Sequence, residues 1–370
     1  MLHEIHSRMV DKFQRIFTTT TEGALDEKLL EVLPQIHSNG IVKLAVFCHA
    51  ASDSEYLENL AAIKQAVDKC FAGHVPLISY IAQHSHPGGL AIEATYVEPD
   101  TDIEYHEDYI TINNDGCTEL ITAGILSDDT TKSTFEQSNE VFGKIGKILL
   151  LNGFRPSDIY RQWNYIPGIT ILNDGSQNYQ EFNDSRSIFY ADSDWSNGYP
   201  AATGIGTCAG GVMVELYAVK GVASNNHPID NPVQIAAHSY SQKVLDGKAI
   251  GQLSEKTTPK FERARLFGNT ILISGTAAIK GEESNISDDT VVQATETMEI
   301  MDRLVATDNI PAPNNGAQYD LLRVYVKREN DIPAVRAYME QHYSAVAKHY
   351  LVADICRPEL LIEIEGIVHI

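Results

Sequence analysis

The chain has 370 residues, 43% of them hydrophobic and 21% charged, with 28 Lys and Arg against 50 Asp and Glu. That length suits two domains of ordinary size, each with its own core. The net charge of −22 disfavours nucleic acid and anionic membrane as partners, and no apolar run approaches the roughly 18 residues of a membrane span.

Met1-Leu2-His3-Glu4-Ile5-His6 lacks the basic and apolar regions of a signal peptide. Cys48, Cys70, Cys117, Cys208 and Cys356 form no CxxC pair, which argues against a zinc ribbon or disulfide framework. A cytoplasmic protein with reduced thiols is expected. Residues 1–40 read as helical and polar, with a helix over 25–37. Strands are expected at 41–48, 76–82 and 91–97. Gln83-His84-Ser85-His86-Pro87-Gly88-Gly89 reads as a surface turn, and its two His lack a third ligand at metal spacing.

Short strands are expected at 109–113 and 119–125. Phe135, Val141, Phe142, Ile145, Ile148 and Leu149 share one helical face, so 134–151 reads as an amphipathic helix closed by Asn152-Gly153. A strand over 159–166 and a turn at Pro167-Gly168 follow. Next come a helix over 178–190 and, beyond a Gly- and Ser-rich loop, a strand over 212–219. Gly204-Ile205-Gly206-Thr207-Cys208-Ala209 fits the loose dinucleotide pattern but lacks the strand–turn–helix setting that pattern needs.

The second half repeats the order: strand 270–274, helix 287–304, strand 321–326, a helix opened by Asp331-Ile332-Pro333 and running to 342, then strands 350–355 and 360–368. Asp158-Ile159-Tyr160-Arg161 overlays Asp320-Leu321-Leu322-Arg323, and Val214-Glu215-Leu216-Tyr217 overlays Ile362-Glu363-Ile364-Glu365. The expectation is an α+β protein of two tandem copies, 1–220 and 221–370. Each copy would be a mostly antiparallel sheet with helices on one face.

The terminal strand carries the sharpest signal. Ile362 and Ile364 point one way, Glu363 and Glu365 the other. Two carboxylates on one face of an aliphatic strand mean either a solvated edge or a catalytic acid.

The stretch Gly268–Ala277, the long helix after it and the terminal Cys356-Arg357-Pro358-Glu359-Leu360-Leu361-Ile362-Glu363-Ile364-Glu365-Gly366 resemble the RidA (YjgF/UK114) fold. Arg161-Gln162-Trp163-Asn164-Tyr165-Ile166-Pro167 and Tyr199-Pro200-Ala201-Ala202-Thr203-Gly204-Ile205-Gly206 narrow the resemblance to the chorismatase family. That resemblance implies acid-catalysed cleavage of the enolpyruvyl ether of chorismate to pyruvate and a cyclic acid, with no metal or organic cofactor. It places the catalytic Glu at Glu363. Like charge from Glu365 and a partly apolar setting would raise the pKa of that carboxyl.

Two substrate carboxylates call for fork-shaped donors, and the candidates are Arg161, Arg263, Arg186 and Arg357. Tyr165, Thr203 and Tyr217 are candidates for hydrogen bonds to the substrate. Cys356, seven residues before Glu363, resembles the Cys of members that make 3-hydroxybenzoate. A dihydroxycyclohexadiene acid, or mixed 3- and 4-hydroxybenzoate, stays open. An imine deaminase of the RidA type is a rival, weakened because Ala347-Lys348-His349-Tyr350-Leu351 holds no Arg. A non-enzymatic binder on the same scaffold is a second rival, and either a monomer or a homotrimer is compatible with the duplicated length.

Overall fold

The computed structural model describes residues 12–19, 23–114, 116–221, 226–251, 253–314 and 316–370. The expected reading of the signal region and of the first part of the N-terminal helix falls on residues 1–11, outside those described. Three sheets, each with helices against its outer face, follow one another along the chain.

The first sheet uses β1 (Phe13–Thr18), β2 (Ile41–Cys48), β3 (Leu77–Ala82) and β5 (Leu90–Tyr96), with β4 (His84–His86) between the last two. Its order is β1-β5-β2-β3. Helices α1 (Leu25–Val32) and α2 (Asp53–Cys70) pack on it. Residues 13–18 are thus a strand antiparallel to β5, not helix; alternating exposure of Phe13, Arg15 and Thr18 marks an edge strand with one wet face. The expected surface turn at 83–89 is also corrected. His84–His86 pairs with a strand near the C-terminus, and only the residues after a cis His86-Pro87 bond turn the chain.

The second sheet contains β6 (Asp102–Tyr105), β7 (Tyr109–Asn114), β8 (Cys117–Thr122), β9 (Ile125–Leu126), β10 (Ile159–Pro167), β13 (Ala201–Thr207) and β14 (Met213–Gly221). A small hairpin of β11 (Leu172–Asn173) and β12 (Ser176–Gln177) stands apart. Helix α3 (Thr134–Leu151) starts on a capping box, with Ser133 accepting from the Glu136 amide and Glu136 accepting from the Ser133 amide. It ends where Gly153 turns left-handed at φ +69°. Helix α4 (Asn178–Tyr190) packs beside it through Phe142, Phe182 and Phe189.

The third sheet joins β15 (Asn226–Ile229), β16 (Ala264–Phe267), β17 (Thr270–Thr276), β20 (Gln318–Val326), β21 (Ala347–Val352) and β22 (Ile362–His369), with β4 closing its far edge. A hairpin of β18 (Ile279–Lys280) and β19 (Glu283–Ser284) follows β17. Helices α5 (Thr290–Leu304) and α6 (Ile332–His342) cover its outer face. Helix α5 begins three residues later than the apolar spacing suggested, because Asp289 is the cap and accepts from the amides of Val291 and Val292.

The α+β class is as expected, and the first hundred residues add a further sheet on the same plan. In each unit a central strand lies between a parallel and an antiparallel neighbour: β3-β2-β5, β13-β10-β14 and β21-β20-β22. The inner faces of all three sheets meet in one central cluster that includes Phe47, Trp163, Tyr165, Tyr217, Leu272 and Tyr325.

Register makes the three units comparable. Lys43, Arg161 and Arg323 hold the same place on the three central strands, opposite Thr95, Tyr217 and Glu365. Two residues on, Glu93, Glu215 and Glu363 likewise correspond. The basic residues reach across to neighbouring units: Lys43 to Glu215, Arg161 to Glu365, and Arg323 to Glu93. The three ion pairs close a buried ring.

Candidate active site

Strand β22 lies between β17 and β20, so the solvated-edge reading of its two carboxylates is overturned. Ile362 and Ile364 enter the helix-covered core of the third unit, and Glu363 and Glu365 are put on the inner face, each almost fully buried.

Opposite them the β17–β22 ladder shifts register between Ile273 and Thr276. A bulge there leaves room beside the strand. Gly275 sits in it, and a Cβ at that position would fall 2.0 Å from Glu363 Oε1. Three further bonds fix the seam between the second and third units. Ser274 Oγ donates to the Glu262 carbonyl at 2.6 Å and accepts from the Ala202 amide at 2.8 Å, and the Gly275 amide donates to Thr203 Oγ1 at 3.0 Å.

A cavity of about 790 Å³, counting the open solvent at its mouth, occupies this seam. One wall comes from α4 and β13, the other from β17, the 240–263 segment and Cys356-Arg357. Glu363 lines it, and no hydrogen bond to its carboxyl occurs among the described residues. Burial raises the Glu363 pKa to about 8; Glu365 adds to the rise and Arg161 opposes it.

Three guanidiniums line the same cavity. Arg186 on α4 is fully buried, with Nη2 on Asn183 Oδ1 at 2.5 Å and Nε without a partner among the described residues. Arg263 donates from Nη2 to the Ile235 carbonyl and to Tyr240 Oη at 2.7 Å, and its Nε is also unpartnered. Arg357 donates to the Glu282 carbonyl and Ser284 Oγ, both at 2.9 Å. The Tyr240 ring packs against Arg263 and Arg357, 5.5 and 5.4 Å from its centroid. Cys356 is beside Glu363, and burial first, then that carboxyl, push its thiol up to about 12. It is a neutral thiol at physiological pH.

The sequence-derived residues therefore separate into two groups. Glu363, Cys356, Arg186, Arg263 and Arg357 share the cavity. Arg161, Tyr165, Thr203 and Tyr217 lie behind it in the central network. Arg161 Nη2 bonds Thr203 Oγ1 at 2.9 Å and also Glu365, and Thr203 donates to Glu365. Tyr165 Oη accepts from Arg323 at 3.4 Å, and Tyr217 packs edge-on to Trp163. Sequence reasoning passed over Tyr240, Asn183, Gln180 and Tyr179 as site residues, although all four line the cavity. Tyr240 belongs to a stretch with only single 3-10 turns, where periodicity has nothing to act on. No group of three His, Cys, Asp or Glu suited to a metal exists among the described residues.

Known proteins can now be set beside this geometry. Residues 98–218, which span β6 to β14 and so the second sheet, match the family described as "Chorismatase FkbO/Hyg5-like, N-terminal". A 3-hydroxybenzoate synthase of Streptomyces hygroscopicus is 32% identical over 228 residues, 59% of this chain and 66% of that protein. A chorismatase of Streptomyces rapamycinicus is 31% identical over 223 residues, 56% of this chain and 63% of that protein. The aligned part thus spans a little under two thirds of the length of these relatives. A chorismatase crystal structure superposes with TM-score 0.73 at 22% identity, over 98% of this chain and 100% of that one, which shows the fold. Residues 98–218 are thus similar to the FkbO/Hyg5-like chorismatase N-terminal family, and the whole chain shares its fold with a solved chorismatase.

Proposed function

We propose that this chain cleaves the enolpyruvyl ether of chorismate to pyruvate and 3-hydroxybenzoate, with Glu363 as the acid. The observation that carries the reading is one uncompensated, buried carboxyl facing three guanidiniums in a chain of net charge −22. Such a cavity suits a small dianion, and it holds a proton donor that stays loaded at neutral pH.

The enol ether requires a proton on its terminal methylene carbon. Glu363 gives that proton, and the π electrons of the double bond form the new C–H bond. An oxocarbenium ion remains at the ether carbon. Water adds there and gives up a proton, and collapse breaks the bond to the ring oxygen, which takes a proton, and releases pyruvate. Loss of the ring hydroxyl and a ring hydrogen as one water then gives 3-hydroxybenzoate. Protonation of carbon is slow, so placement and proton occupancy of the acid are what the protein contributes.

Arg186 and Arg263 are the carboxylate anchors in this reading, because each has a buried Nε with no partner. An unmet charged donor in a cavity wall is costly without a ligand and strong with one. Arg357 and Tyr240 share the wall of Arg263, opposite Arg186. Arg161, Tyr165, Thr203 and Tyr217 support the site from behind rather than touch substrate. Cys356, a neutral thiol in the same cavity as the acid, is assigned in this reading to favour loss of the ring hydroxyl. Pyruvate and 3-hydroxybenzoate together contain the atoms of chorismate, whereas pyruvate and the diol together contain one added water.

The buried ring of ion pairs closes within one chain, which supports a monomer, and five free cysteines suit a reducing compartment. No helix among the described residues is long and apolar enough to cross a membrane. The deciding experiment incubates the purified chain with chorismate and follows pyruvate and aromatic acid by chromatography. Formation of both supports the assignment; intact chorismate at high enzyme concentration sinks it.

A further inference from the structure

The three-unit register exposes an exception at one position. In the first and second units, the Glu two residues past the cross-strand partner of the basic residue is consumed by a cation: Glu93 by Arg323, Glu215 by Lys43. Glu363 holds the corresponding place in the third unit. Arg161 would be its cation by the same rule. Instead Arg161 bonds Glu365, a residue whose counterparts are the uncharged Thr95 and Tyr217.

Glu365 is built to keep that cation. It accepts from Arg323 Nη1 at 2.9 Å, Tyr325 Oη at 3.1 Å and Trp163 Nε1 at 3.0 Å, as well as from Thr203 and Arg161. Burial alone would favour its proton, but Arg161 and Arg323 outweigh burial and hold its carboxyl below the usual range. Glu365 is therefore a fixed anion, two residues from a carboxyl that is left without a cation of its own. Arg161 Nη1 is buried with no hydrogen-bond partner among the described residues, so the guanidinium retains a donor that a second carboxylate would take.

We propose that Glu365 is the positioning residue of this site: it holds Arg161 away from Glu363, so that Glu363, alone of the three corresponding glutamates, forms no ion pair among the described residues. This inference rests on the reading of Glu363 as a proton donor and adds the device that keeps it one.

The groups facing Glu363 are few. Glu365 lies on its own strand, and Tyr325 is its partner on β20. Arg161 approaches from β10, and Tyr179 and Arg186 from α4. Tyr240, Asp246, Arg263, Cys356 and Arg357 are the further titratable or charged groups of the cavity wall. Of the cations, Arg161 is the one that opposes the rise in the Glu363 pKa. Removing the Glu365 charge takes away a like charge and frees a cation. Both changes favour ionised Glu363, so its titration should move to lower pH.

The test is a carboxyl titration of Glu363 by difference infrared or carbon-13 NMR, read beside the pH profile of kcat. In Glu365→Gln the Glu363 midpoint should fall by about 1–3 pH units, the usual effect of a guanidinium gained by a carboxylate. The loss of kcat at neutral pH should be recovered on acidification. Adding Arg161→Gln to Glu365→Gln should move the midpoint back up and restore neutral-pH turnover. A residue that merely stabilises the fold would lower activity equally at every pH, and the double variant would be worse than the single. Arg161→Gln alone, which leaves Glu365 with Arg323, should raise the midpoint; that arm decides the matter if Glu365→Gln does not fold. An unmoved Glu363 midpoint in either single variant overturns the proposal. If the wild type consumes no chorismate, the proposed function fails, while the carboxyl titration still reports on Glu365 and Arg161.

Discussion

The junction between the first and second units and the junction between the second and third are built from corresponding residues and end in opposite states. At the first, Lys43 takes Glu215, Tyr80 stands on β3, and the Tyr56 ring stacks on it at 4.5 Å. At the second, Gly204 holds the place of Tyr80, and Gly275 the place of Thr122 counted from Leu120 and Ile273. Side chains fill one junction; their absence opens the other, and a carboxyl lines the opening. The open seam thus differs from the closed one by two missing side chains and one diverted cation.

The difference can be broken from the structural side first. Lys43→Met should cost about 3–5 kcal/mol of stability in denaturant melts, since it strands Glu215 as a buried, unpaired charge. At temperatures where the variant is folded, its turnover should stay near wild type. A large drop in kcat with intact stability would mean that the first junction is not merely structural.

From the open side, Glu363→Gln keeps shape and removes the proton donor, so chorismate cleavage should fall on the order of 100-fold or more. Gly275→Thr, which puts the residue of the closed junction into the open one, should do the same by displacing the carboxyl. The positions match only if both variants retain the wild-type far-UV spectrum while losing turnover. Stability should respond in the opposite sense. Glu363 holds its proton in the fold up to about pH 8, whereas an exposed Glu ionises near 4.5, so this side chain destabilises the fold as pH rises between those values. Glu363→Gln should therefore melt higher than wild type at pH 8 and alike at pH 4. Activity of the wild type should fall as pH rises through about 8, where the acid loses its proton.

Smaller effects sharpen the cavity. Arg186→Ala and Arg263→Ala should each weaken chorismate binding by about 1.5–3 kcal/mol, read as a higher KM. If neither does, the carboxylates bind elsewhere. Cys356→Ala should change the ratio of 3-hydroxybenzoate to non-aromatic diol more than it changes the rate of chorismate loss, with a stability cost near 1 kcal/mol. An unchanged product ratio would reduce the thiol to packing.

Much of the fold was legible because strong periodicity coincided with burial. Helices 134–151, 178–190 and 332–342 lie where spacing, caps and Pro333 put them. The third copy of the plan was not legible, and α2 is the reason. Of its 18 residues only Tyr56, Ile63 and Val67 are buried, too thin a stripe to stand out, and without that helix the first unit has no visible match to the others. Strand β1 failed for a similar cause, being half wet and rich in polar residues. In the site, Glu363 and the cavity arginines could be nominated from residue type. The separation of Arg161 from Arg263 could not, since it depends on which cation crosses to which unit. Gly275 was visible as part of a quoted stretch, but its meaning is a distance of 2.0 Å to an atom 88 positions away in sequence.

The closed ring of ion pairs has a consequence for stoichiometry. In an assembly of three identical chains, every junction would share one sequence, so a substitution that emptied one seam would empty all three, and three ligands would bind alike. Here the three seams are encoded separately, and only the one between the second and third units keeps both the glycines and the unpaired carboxyl. The proposed function then predicts one ligand per chain. The other two seams are free to specialise in holding the molecule together.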